Sequence, residues 1–564
     1  MATSSAQQSP GVFVKEIDLS QRIDTISSTI GVAVGASKKG PIMQRTLVTS
    51  QKEFLDTFGH PDPTVSFMHY SALAFLEESQ RLYVTRVVSP NALTAGAYAT
   101  ITDIDADDGV NLSLNNWDAG VNNNEALGIY DPLNTLAFDP NDDGAKAILF
   151  FVCAIDPGDW NNNLSVWIRH SAPLGLTPGS HESHNPYNFY IDVYVNFDNN
   201  TDKPVESFLV SRTYGQDGYG QQMFMEDVIN TRSNYIRVKN NPYCPNYKIV
   251  GSAYEKLDGG RDGDIPQANK MLSAWEMYLD TESINVNLLI NSGYTDAEYQ
   301  LKMVEVAGSR RDCVAMLDIP NHLQKTADAI TFRKETLNAD STYACLCTPD
   351  VKIYDKYNGY EIFVPPSGYF AQVCAKTDNN ANLWYAPAGL NRGQLSVIGV
   401  NAIYNQGARD ALDEAQINYI RFFPGRGYAI WAQNTLQIAA SSLSNLNVRR
   451  LMNYVEKAIS TYAQYSVFEP NDKVLRAGLR QTIERFLDPI KFGRGIYDYL
   501  VVCDDTNNPP YTVASGDLTV DVYLDPIIPS KRIHLNATIT KTGAVFREAY
   551  ANLSSSGLAL NNQA

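Results

Sequence analysis

The sequence predicts an α+β chain of several domains: an α/β middle domain interrupted by a mostly-β insertion, followed by a C-terminal α+β domain. Three observations lead there. Apolar runs alternate with helix-periodic stretches before about residue 97 and again after about residue 248. Between them the texture turns to Asn, Asp and Gly, with short β-like runs. Near the end, two long amphipathic stretches give way to strictly alternating strands. At 564 residues the chain exceeds what one core organises, and about three or four domains are expected.

The first element is GVFVKEIDLS, residues 11–20. Phe13, Lys15, Ile17 and Leu19 alternate with Val12, Val14, Glu16 and Asp18, as in a strand. The QRIDTISS that follows holds no tight hairpin turn, so this strand has no local partner. TIGVAVGAS then reads as a buried strand, SQKEFLDTFG as a short helix ending at Gly59, SFMHYSALAFLEES as a longer helix, and RLYVTRVV as another strand. Residues 98–247 form the β insertion, with strands at ILFFVCAI, LSVWIRH, NFYIDVYVNF and VESFLVS. Residues 23–97 and 248–390 together make the α/β domain. After LDGGRDGDIP it resumes with a helix at NKMLSAWEMYLDT and a strand at NVNLLIN. A helix near AEYQLKMVEVAGS, the strand CVAMLDIP, a helix near QKTADAITFRKETL and the strand YACLC complete it.

The third unit spans 391–540. NVRRLMNYVEKAISTYA places Val448, Leu451, Met452, Val455, Ile459 and Tyr462 on one helical face. Asp472 is the expected N-cap of KVLRAGLRQTIERFL, whose inner stripe is Leu475, Leu479, Ile483 and Phe486 or Leu487. Strands follow at IYDYLVVCD, at DLTVDVYLDP (Leu518, Val520, Val522 and Leu524 on one face) and at KRIHLNATIT. In the last, Ile533, Leu535, Ala537 and Ile539 alternate with polar residues. Residues 541–564 form a polar tail.

Charge narrows the function. The net charge is −17, and residues 101–200 alone hold fifteen Asp and Glu against Lys146 and Arg169. Residues 391–564 are almost balanced, with seventeen basic and fifteen acidic side chains. No basic stripe exists for phosphates, so nucleic acid is not an expected partner. No run of eighteen apolar residues is present, so no membrane insertion is expected. MATSSAQQSP lacks the features of a secretory signal, and the chain is expected to stay where it is made. The seven cysteines are scattered, with Cys345 and Cys347 on one face of a strand, and read as reduced core residues.

Motifs that could carry chemistry fall short. DPNDDG at 139–144 starts like a calcium loop, but its twelfth position is Phe150 instead of Glu. DIDADDG at 103–109 has Asp108 where the glycine belongs. LDGGRDGD lacks the spacing and lysine of a phosphate loop and reads as a turn entering a helix; FFPGRGYAIW makes no phosphate cradle either. HESH pairs His181 with His184 between Gly179 and Pro186, without a third ligand. No Walker motif and no nucleophile–histidine pattern appears, so neither metal, cofactor nor catalytic residues are assigned. Two readings of other classes stay open: a hydrolytic enzyme on the α/β domain, or an adhesin using Trp117, Trp160 and Trp167 of the insertion.

The order of segments resembles the tail sheath proteins of contractile-tailed bacteriophages. The matching stretches are SPGVFVKEIDLS, STIGVAVGASKKGP, LDGGRDGD, WYAPAGLNRG, INYIRFFPGRGYAIWAQNTL, NVRRLMNYVEKAIS, VFEPND and DLTVDVYLDPIIPSKRIHL. Ala432 stands where such proteins often have glycine. The resemblance implies a structural subunit and not an enzyme. It implies a homo-oligomer stacked as a helical or ring sheath around an inner tube, with baseplate and tail terminator proteins as further partners. Such a sheath is built in the host cytoplasm, carried on the virion, and contracts to drive the tube through the host envelope. A phage-like contractile injection system is the alternative within the family. The resemblance also makes residues 1–22 and 541–564 arms of the C-terminal sheath core domain, which exchanges strands with neighbouring subunits. Val12, Phe13, Val14, Lys15, Glu16, Ile17, Ile533, Leu535, Ala537 and Ile539 are then the candidate arm residues. Arg449, Arg450, Lys531 and Arg532 are candidates for charge contacts between subunits.

Overall fold

A computed structural model describes residues 29–104, 109–116, 148–170, 187–196, 203–216, 220–263 and 266–533. The described residues up to 527 belong to one compact unit and those from 528 on to a second. The expected strand at 11–20, the tail at 541–564, DPNDDG, HESH and Trp117 lie outside the described residues, as does most of KRIHLNATIT.

The first unit is built on a nine-stranded sheet. Its parallel core runs Leu82–Arg86, Gly31–Gly35, Leu288–Ile290, Val314–Asp318, Ala344–Thr348 and Ile417–Phe423. Antiparallel strands close both sides: Thr46–Val48 at one edge, Gly427–Ile430 and Gln394–Leu395 at the other. Strict alternation divides the apolar side chains between two faces. Val32, Val34, Leu289, Ala315, Leu317 and Leu346 meet Trp275, Met303 and Leu412 of the helices on one face. Ala33, Leu288, Ile290, Val314, Met316, Cys345 and Cys347 meet Phe54, Phe75 and Phe370 on the other. All seven cysteines are free and buried.

Local signals set the helix ends. In Gln51–Phe58, the Ser50 side chain accepts from Glu53 N–H, and Gly59, at φ 84°, donates to Leu55 C=O.

The domain boundary expected at 391 is corrected by the sheet itself. Ile417–Phe423 pairs with Ala344–Thr348, so the α/β layer continues to about residue 436. The apolar run INYI, buried on both faces, is a central strand of the kind that only a long-range partner identifies.

Between Gly96 and Lys256 the chain forms two further sheets. One runs Ile236–Asn240, Ile148–Ala154, Gly96–Ile104, Gly109–Asn116 and Lys248–Ile249; the other runs Ala253–Lys256, Leu164–His170, Asn188–Val195 and Glu206–Ser211. They share one core, including Ala97, Leu149, Phe150, Val166, Ile168, Phe189 and Ile191. Trp160 packs at its margin beneath Lys39.

This β unit stands on the C-terminal ends of strands Gly31–Gly35 and Leu82–Arg86. Arg86 is fully buried and donates to Ser37 and Gly40 carbonyls on one side and to Pro157 C=O on the other. LDGGRDGD is more than a turn before a helix. Leu93 pairs with Arg261 and Gly96 with Asp258, binding the outgoing chain to the returning one. A Cβ on Gly260 would lie 2.6 Å from Gly158 O, and Gly263 has φ +75° with Ala92 N only 2.8 Å from its Cβ position. The glycines serve close backbone approach at a neck.

Candidate assembly surface

The C-terminal part is a two-helix layer carrying a short ribbon. Helix Leu446–Ala463 and helix Lys473–Phe492 enclose Leu451, Val455, Ala458, Ile483, Phe486, Leu487 and Ile490. Asp472 caps the second helix, accepting from Leu475 N–H at 2.8 Å. Against them lies Ile496–Val502 paired antiparallel with Asp521–Pro526. Val520, Val522 and Leu524 turn inward, as their alternation requires, while Leu500 and Tyr523, directly opposed, are more than half exposed.

This ribbon is a two-stranded sheet, and among the described residues neither of its outer edges is paired. Two strands on their own leave a row of N–H and C=O groups open on each side, which folded proteins ordinarily cover. The C-terminal part also exposes several large apolar side chains. Tyr465, Val467, Phe468, Val474, Phe492, Tyr497 and Tyr511 are all strongly exposed, Phe468 completely. Exposed apolar surface of this extent is what an interaction site offers.

The candidate residues fall into three groups. Val12 to Ile17, Leu535, Ala537 and Ile539 lie outside the described residues, and Ile533 is the last described position. Lys531 and Arg532 are exposed and belong to the second unit. Arg449 and Arg450 are corrected: both are buried and used inside the subunit. Arg449 donates to Asn453 and Glu456 and stacks 4.5 Å over Tyr343; Arg450 pairs with Asp378 at 2.5 Å. Asp378 also accepts from the Thr29 hydroxyl. Their helix carries the α/β layer on its first half, where residues 446–451 are buried all round, and the C-terminal core on its second half. Lys457 adds a third tie, to Asp312 at 2.6 Å.

The comparisons with known proteins agree on this architecture. The phage tail sheath protein central domain matches residues 266–436, and the phage tail sheath C-terminal domain matches residues 439–540. The tail sheath protein of Enterobacteria phage T4 is 27% identical, over 96% of this chain and 98% of its own length. The chain belongs to the phage tail sheath family. It is accordingly a structural subunit of a contractile tail sheath and a component of the virion, in a family that is not an enzyme family. The tail sheath protein of Vibrio phage KVP40 is 32% identical over 61% of this chain and 54% of its own. Among solved structures, the sheath tail protein from Listeria innocua covers 90% of this chain and 97% of its own at TM-score 0.53 and 11% identity. The contracted sheath complex of an extracellular contractile injection system covers 95% and 99% at TM-score 0.50 and 14% identity. These two show a shared fold. The junction between the matched regions, at 436–439, coincides with the end of the α/β layer.

Proposed function

We propose that this sheath subunit polymerises around the inner tail tube by adding strands to its neighbours' C-terminal ribbons, and contracts to drive the tube through the host envelope. The ribbon, whose two outer edges have no partner among the described residues, supports the reading. Residues 11–20 and 533–539 are the segments whose alternation suits them to those edges, one from each end of the chain. Main-chain bonds add about 1 kcal/mol each, so one added strand of four or five residues supplies a firm yet flexible link. The arms tether subunits while their bodies reorient. Baseplate and terminator proteins set the two ends of the polymer, which assembles in the host cytoplasm before joining the virion. No nucleotide-binding motif is present in the sequence, which fits a drive held as conformational energy and released when the subunits repack.

Deleting residues 1–20 tests this. The shortened chain is expected to remain folded by circular dichroism yet to form no long tubes in negative-stain microscopy. Tubes of normal length that still contract would sink the proposal. Val14→Pro is the milder probe: it removes one N–H and shortens the tubes only if that group is paired.

A further inference from the structure

Thr29 is the first described residue, placed where the chain enters the central strand Gly31–Gly35 with residues 1–28 ahead of it. It is buried and held twice. Its carbonyl accepts from the Ser79 hydroxyl at 2.7 Å, and its own hydroxyl donates to Asp378 Oδ2. Asp378 lies in the last turn of helix Ser367–Asn380. The same Oδ2 accepts from Arg450 Nη2 at 2.5 Å, from the first half of helix Leu446–Ala463. One carboxylate oxygen thus joins three elements: the start of a central strand, the end of one helix and the first half of another.

The pairing is lopsided. A guanidinium and a carboxylate match as two forks, each N–H meeting its own oxygen. Here Oδ2 takes both donors, while Asp378 Oδ1 and Arg450 Nη1 are buried with no hydrogen-bond partner. An acceptor and a donor left idle in the same buried ion pair are each costly. Turning the carboxylate onto the fork would satisfy both, and would take Oδ2 from the Thr29 hydroxyl.

These are two states of one buried group. In the first, Asp378 is shared and Thr29 is held. In the second, Asp378 forks onto Arg450 and Thr29 is let go. Passing between them exchanges one charge-assisted hydrogen bond for another, so the two lie close in free energy. Arg450 keeps its counter-charge in both, and no buried ion is stranded, which is the costly event in such a pair. A contact with two discrete arrangements turns a small displacement into a switch.

We propose that Thr29, Asp378 and Arg450 form a latch at the root of the N-terminal arm. It is closed on Thr29 while the arm is set for its neighbour, and opens onto Arg450 when the subunit bodies reorient. This rests on the reading of residues 1–22 as an arm, and adds how the arm's direction is fixed and released. Thr29 is a positioning residue. With its hydroxyl held, the arm leaves the subunit in one direction, and less ordering remains for the moment of contact.

The test uses full-length protein. Thr29→Val removes the hydroxyl at nearly constant shape and is expected to raise the concentration needed for tube formation by about fivefold. Thr29→Ser, which keeps the hydroxyl, is expected to stay within about twofold of the parent. All three chains are expected to melt alike, since the idle Oδ1 and Nη1 pair once the hydroxyl is gone. A hydroxyl serving the fold alone would lower the melting temperature and leave the assembly threshold in place. The second arm puts Thr29→Val on a background of Asp378→Asn with Arg450→Met, where it is expected to shift the threshold by less than about 1.5-fold. A residue touching a neighbouring subunit directly would keep its full effect there. Should that background fail to fold, amide exchange at Ile30 and Gly31 in unassembled chains decides, with a rise of about tenfold expected in Thr29→Val. Assembly of Thr29→Val like the parent, a full effect on the double background, or unchanged exchange overturns the latch. Tubes that survive removal of residues 1–20 overturn the arm reading and the latch with it. Tubes lost on that removal yet unaffected by Thr29→Val overturn the latch alone.

Discussion

Arg450 shows how one residue's role depends on what the rest of the chain brings to it. In NVRRLMNYVEKAIS the helical period is plain, and paired arginines near a helix start look like solvated charge. They are buried because the α/β layer packs over the first turns of the helix, which no local pattern announces. Asp378 beneath Arg450 is mostly shielded, so the pair stands or falls together. Arg450→Met is expected to destabilise the subunit by about 3–5 kcal/mol in denaturant titration, since it strands a buried carboxylate. Asp378→Asn together with Arg450→Met is expected to recover part of that loss, because removing both partners leaves no orphan charge. Asp472, by contrast, was legible: an N-cap is a local device, written within four residues.

Strand ends hold the acid–base behaviour of the fold. Asp318 ends its strand buried, accepting from Ser367 and Asn291, and burial raises its pKa to about 6. Asp350, just beyond Ala344–Thr348, accepts from Asn321 and is pushed up to about 7, again by burial. A carboxyl whose folded pKa lies above its unfolded value holds its proton more tightly in the folded state. Its penalty is absent below the unfolded pKa near 4 and grows as pH rises, until it is complete above the folded pKa. The subunit is therefore expected to lose stability between about pH 4 and pH 7, and Asp350→Asn to flatten that slope, as thermal melts across the range will show. A pH profile unchanged by Asp350→Asn would count against this role. The neck makes the same point about legibility. LDGGRDGD was visible as a glycine-rich turn, but its pairing with residues 93–96 depends on chain more than 150 positions away. Gly260→Ala is expected to loosen the neck, because its methyl group would press on the Gly158 carbonyl, and limited proteolysis between residues 87 and 95 should then accelerate.

At the scale of the molecule, separate cores share a few narrow connections. The β unit has its own core and meets the sheet through Arg86, whose burial lowers its pKa to about 10 and whose charge offsets part of the burial that raises Asp156 to about 6. Arg86→Met is expected to split calorimetric unfolding into two resolved transitions, where the parent unfolds with the two more closely coupled. The alternation of helix and strand made the layered fold readable from sequence, and the change in texture near residue 98 marked the β unit. The hairpin at 417–430 and the sheet's extension past 390 were not readable, since a short apolar run looks alike in any context until its partner strand is known. The open ribbon is the complementary case: its strands were evident, and only the structure shows that their outer edges have no partner among the described residues. The buried cysteines, finally, make this chain a convenient carrier for spectroscopic rulers. With every native thiol shielded, and Cys313 and Cys374 raised to about 12, a single cysteine placed on the surface would be the sole site to take a dye. Pairs of such dyes on neighbouring subunits would report contraction in real time, with no native thiol first removed.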